Sequence, residues 1–151
     1  MAFITESDMT THISAQSIAA IKAGDTTKLT KAITSAQVLA ASYLGRYDTE
    51  TIFAADTEDK DTIYSDLIDQ IKHVAKWKFI QNSNAGIDME LAHMNYKDAL
   101  KALERYGQQL QDAWPVAEEE EADKIMRAGS RLKFDHYGFS EVVDPDDPFT
   151  T

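Results

Sequence analysis

Apolar positions recur along the first two thirds of the chain at spacings of three and four, the period of a helix with one buried face. Leu29, Ile33, Ala36, Ala40, Tyr43 or Leu44, and Tyr47 form one such stripe. Val38 and Leu39 lie off it, so this helix is apolar on two faces and is expected to be central. Its small residues (Ala32, Ser35, Ala36, Ala40, Ala41, Ser42) add little buried area but allow a second backbone to come close. A second stripe, Ile63, Tyr64, Leu67, Ile68, Ile71, Val74, Ala75 and Phe79, keeps the period for about five turns. A third places Ala92, Tyr96, Ala99, Leu103, Tyr106 and Leu110 on one face behind an Asp88 cap.

The breaks between stripes are polar. Ser7 and Ser14 read as N-caps, of a short turn and of a short helix ending near Lys22 and Ala23. Gly24 then stops that helix, and Asp25 or Thr26 caps the next. AADTEDKD at 54–61 reads as an acidic loop, and QNSNAG at 81–86 as a break. All three prolines stand at or after Pro115, so nothing before it forbids helix. No strand pattern appears in this region. The prediction is an all-α fold: a small antiparallel bundle of about four to five helices over residues 1–114.

Beyond Trp114-Pro115 the character changes. EEEEAD at 118–123 is a charge run, and Leu132 and Phe134 alternate with Arg131, Lys133 and Asp135. Residues 115–151 are therefore expected to be an acidic linker and an extended C-terminal arm, too short to make a sheet alone.

Composition narrows the function classes. The formal charge is −11, from 26 acidic residues against 15 Lys plus Arg, which disfavours phosphate binding over the whole surface. The absence of cysteine removes disulfides, thiolate metal sites and a cysteine nucleophile. The N-terminal MAFITESDMTTHIS lacks the basic and apolar regions of a signal peptide, and no apolar run is long enough to span a membrane. The expectation is a soluble protein made in a cytoplasm.

Catalytic patterns are incomplete. Glu90 and His93 share a helix face at i and i+3, as in di-metal carboxylate bundles, but that chemistry needs a second Glu-x-x-His. Met9, Gln70 and Lys133 stand three residues before His12, His73 and His136, so no second pair exists. DTEDKD imitates the start of a calcium loop, but Asp61 and Leu67 hold the places of its required glycine and glutamate. No phosphate-binding glycine loop and no nucleophile elbow occurs. No catalytic, metal-binding or cofactor-binding residue is assigned, and the chain is read as a non-enzyme.

Four segments in order, TKAITSAQVLAASYLGRYDTETIF, IKHVAKWKFIQ, MNYKDALKALERYG and AGSRLKFDHYGF, resemble the head–tail joining proteins of Mu-like and Bacteroidetes phages and prophages. An alanine-rich helix in that family ends on an aromatic-leucine-x-x-tyrosine-aspartate motif, read here from Tyr43 to Asp48. Ile71 to Ile80, then Tyr96, Asp98, Ala99 and Leu103, and finally Gly129, Ser130 and Lys133 follow the family's later elements. QNSNAGID stands where the family has a basic segment, and the acidic insert at 118–123 is longer. The resemblance covers most of residues 3–139. It implies a structural head–tail connector at the virion neck, forming a ring on the portal protein with neighbouring copies and meeting a tail-side joining protein. DNA would pass through without sequence-specific binding, and no membrane or cofactor is involved. Ala36 and Ala40, with Arg127, Gly129, Ser130, Arg131 and Lys133 in the arm, are the expected subunit or portal contacts. The alternatives are a metal-carboxylate enzyme centred on Glu90 and His93, and a soluble helical regulator that binds another protein.

Overall fold

The computed structural model describes residues 2–81, 83 and 86–117. A 3-10 helix, Ser7–Thr11, precedes six α-helices: α1 (Ala15–Lys22), α2 (Lys28–Tyr43), α3 (Thr49–Phe53), α4 (Thr57–Thr62), α5 (Ser65–Ile80) and α6 (Met89–Gln108). Among the described residues there is no strand, only an isolated antiparallel bridge between Tyr47 and Val116. The all-α prediction holds, with α3 and α4 as short helices beyond the number expected.

The long helices α2, α5 and α6 make the bundle, and three contacts fix their directions. Tyr43 at the end of α2 meets Gly107 at the end of α6, so these two helices run the same way. The Tyr106 hydroxyl of α6 bonds the Asp66 carboxylate at the start of α5, while Trp77 near the end of α5 stacks on His93 near the start of α6. Hence α5 runs antiparallel to both. The most extensive packing is α2 on α5 and α5 on α6. The central helix is therefore α5, not α2 as its two apolar faces predicted. Leu67, Ile71, Val74, Phe79 and Ile80 supply the bulk from α5. Its neighbours answer with alanines: Ala36 and Ala40 from α2, Ala92 and Ala99 from α6, all buried. Small residues on flanking helices let large ones on the middle helix reach native packing density.

The caps follow the sequence closely. Ser14, Asp48, Asp56 and Asp88 each accept a hydrogen bond from the backbone N–H three residues on, starting α1, α3, α4 and α6. Three expectations change. The N-cap of α2 is Thr27, without a side-chain cap bond, while Asp25 accepts from the Thr27 N–H and hydroxyl just before the helix. Ser7 lies inside the 3-10 helix, where Asp8 turns back to accept from the Thr5 backbone N–H at 2.7 Å. The segment 54–61 is not a plain loop, because Asp56 caps α4 within it. Its acids sit at a helix N-terminus, where the backbone N–H groups and the helix dipole favour them. In the N-terminal turn, Glu6 accepts from Lys22 Nζ of α1 and the Thr30 hydroxyl of α2, both at 2.7 Å. These hydrogen bonds hold its carboxyl below the ordinary carboxylate range, the one from Lys22 contributing most.

The segment predicted to begin the arm starts as part of the body. Asp48 donates its N–H to the Pro115 carbonyl at 3.0 Å, and Ala117 donates to the Arg46 carbonyl at 3.1 Å. Trp114 is buried among Tyr47, Tyr64 and Tyr106, with ring centroids 5.2–6.0 Å away. The compact unit thus reaches Ala117.

Candidate functional site

The aromatic–glycine–arginine–aromatic–aspartate stop after α2 is a structural hub. α2 ends at Tyr43, and the chain turns so that Tyr47 inserts under the C-terminus of α6. The Tyr47 hydroxyl lies 2.9 Å from the carbonyls of Tyr106 and Gln109 and accepts from the Gln111 N–H at 2.9 Å. Its single proton serves one carbonyl at a time. Arg46 donates to the Gln108 carbonyl at 3.2 Å, placing positive charge where the helix dipole favours it. One short motif therefore closes two helices and starts α3 through Asp48. The Thr51 hydroxyl and N–H hold the Asp48 carboxyl below its ordinary range.

The expected contact residues on α2 require a correction. Ala36 and Ala40 are fully buried within the chain, so they serve the internal α2–α5–α6 packing and offer nothing to a neighbour. The outward face of α2 instead carries Thr30, Thr34 and Val38, with Ala41 half-buried beside them and Val38 67% exposed. Beside it runs a shallow groove lined by Thr34, Gln37, Val38, Ala41, Thr49, the acidic Glu50 and Phe53. On α6, Leu91 and Met94 also stand out from the surface, one turn apart. Arg127, Gly129, Ser130, Arg131 and Lys133 lie outside the described residues, as do His136 and the acidic run at 118–123.

Glu90 is exposed, and His93 stacks on Trp77 and Tyr96 with centroids 4.7 and 6.3 Å away. Among the described residues, no third potential metal ligand gathers around Glu90 and His93. The cluster of chemical interest lies elsewhere, where the 3-10 helix rests on α5. His12 Nε2 is 3.0 Å from Asp69 Oδ1, and His73 Nε2 is 3.6 Å from Asp69 Oδ2. The imidazoles meet edge to face, centroids 4.6 Å apart. Burial is the main influence on both rings and pulls their pKa values below the ordinary histidine range. For His12, the neighbouring His73, Lys72 and Lys76 push the same way against Asp69; for His73, Lys76 does. Both shifts favour the neutral imidazole. His12 Nδ1 lies 2.8 Å from the Thr11 hydroxyl, which in turn reaches the Asp8 carbonyl at 2.9 Å. His73 Nδ1 is buried without a partner.

This cluster does not follow the Glu-x-x-His pattern of di-metal bundles. Asp69-x-x-x-His73 was legible as an i, i+4 pair on one helix face. The arrival of His12 from a distant turn was not. Among the described residues, no helix is long and apolar enough to cross a membrane. No protein-family model, curated protein or solved structure matches the chain.

Proposed function

We propose that this chain is a structural head–tail connector subunit of a phage or prophage, assembling as a ring at the portal and joining head to tail. The reading rests on the resemblance of its four sequence segments to that family. The observation that best supports it is a pair of outward apolar patches on different helices: Val38 with its groove on α2, and Leu91 with Met94 on α6. A closed ring is built from heterologous contacts, in which one patch of a subunit meets a different patch of the next. Isologous dimers need only one self-complementary patch. The pairing of Val116 with Tyr47 supports the reading as well, since it seats residues 115–117 beside the end of α2. In this reading, the portal, adjacent copies and a tail-side joining protein are the partners, and the virion neck is the location.

The test is deletion of the gene from the phage or prophage that carries it, followed by electron microscopy of the particles. DNA-filled or leaking heads beside separate, complete tails are the expected outcome. Normal infectious virions would remove the connector reading.

A further inference from the structure

We propose that His12, Asp69 and His73 form a three-ligand site for one divalent transition-metal ion, Zn2+ foremost, which pins the N-terminal 3-10 segment to α5. Two imidazole nitrogens and one carboxylate are the donor set of open zinc sites and of two-histidine-one-carboxylate centres, which keep a position for water. The spacing fits. Ligands about 2.0 Å from a tetrahedral ion stand about 3.3 Å apart. Here the two nitrogen–oxygen separations are 3.0 and 3.6 Å, and all three donors lie within 4.8 Å of one another. Asp69 is half exposed while the histidine side chains are 12% and 24% exposed, so the open position faces solvent past the carboxylate.

The surroundings favour the ligating forms. A histidine binds metal as neutral imidazole, and its other nitrogen is oriented by a hydrogen bond to a neighbouring acceptor. With the Thr11 hydroxyl donating to the Asp8 carbonyl, Thr11 Oγ accepts from His12 Nδ1–H, and His12 then points its Nε2 lone pair at a carboxylate oxygen. Two acceptors 3.0 Å apart repel; a cation between them satisfies both. His73 turns Nε2 to the same carboxylate, since its Nδ1 is enclosed. Against the ion stand Lys72 and Lys76, whose charges reach the cluster from α5. The competing arrangement is a metal-free clamp in which both histidines donate Nε2–H to Asp69.

Titration of the purified full chain with ZnCl2 by calorimetry, with histidine side-chain NMR, distinguishes the two. The expected result is one Zn2+ per chain, a raised melting temperature, and shifts of the His12 and His73 resonances with those of His93 unmoved. Asp69→Asn, at a half-exposed position, and His73→Gln should each weaken Zn2+ affinity at least about tenfold with helical circular dichroism retained. Absence of stoichiometric uptake, or uptake that leaves the His12 and His73 resonances of the unaltered chain in place, would overturn the site and leave the clamp. Undiminished affinity in a folded Asp69→Asn chain would overturn it equally.

Discussion

Gly107 occupies the second-last position of α6, where glycine is normally a liability. Its reason lies across the interface. A Cβ built there falls 2.3 Å from the Tyr43 carbonyl oxygen, about 1 Å inside the 3.4 Å at which ordinary contact begins. The obstacle is backbone on a packed helix end, so relief requires α2 and α6 to separate rather than one side chain to rotate. Overpacking of this kind costs about 1–3 kcal/mol. Alanine returns at most about 1 kcal/mol of helix propensity, less near a helix end. Gly107→Ala should therefore destabilise the fold by about 1–2 kcal/mol, lowering the melting temperature by about 4–8 °C. Gly45 supplies the control: nothing lies within 4 Å of its Cβ position and its φ is not positive, so Gly45→Ala should be neutral or slightly stabilising. Thermal and urea unfolding by circular dichroism measure both. A Gly107→Ala chain as stable as the Gly45→Ala chain would show that the two helix ends are not in the contact argued.

Two further outcomes follow from the same geometry. Tyr47→Phe keeps the ring but strands the Gln111 N–H and the carbonyl of Tyr106 or Gln109, so it should cost about 1–3 kcal/mol in urea unfolding with the helix content unchanged. Because His12 and His73 titrate below their ordinary 6.5 in the folded state, the unfolded chain binds more protons as pH falls through that value. Stability contributed by the neutral pair is full above pH 6.5 and is lost as pH falls toward the lowered values. Melting temperatures at pH 7.5, 6.5 and 5.5 should decline, and His12→Gln with His73→Gln should flatten that decline; an equal decline in the double variant would sink the assignment.

The long helices were legible because their burial is one-sided, and one-sided burial writes a period of three and four into the sequence. Asp88 and Ser14 were legible as caps for the same local reason. What failed was tertiary. Ala36 and Ala40 announce a close neighbour, but a small residue does not say whether that neighbour is in the same chain; α5 and α6 turned out to be the answer. The apolar breadth of α2 pointed to a central place that α5 holds, because Val38 contributes to that breadth from the solvent side. Tyr47 continued the α2 stripe numerically, yet reaches the core through a turn made after the helix has ended. α4 was hidden because a short polar helix has almost no buried face to leave a pattern. Of the candidate metal cluster, Asp69 and His73 were readable together, whereas His12 joins them only through the fold.

The closure around Tyr47 also has a kinetic meaning. Its hydroxyl bonds a carbonyl 59 residues away, and Trp114 must arrive from still farther along the chain. Contacts of such separation carry a large loop-closure entropy and mature after the local helices have formed. Interactions absent from the folding transition state leave the folding rate almost untouched and act on the rate of unfolding. If the aromatic closure forms after the transition state, it is a brake on escape from the native state, and Tyr47→Phe would speed unfolding while leaving the folding rate nearly unchanged.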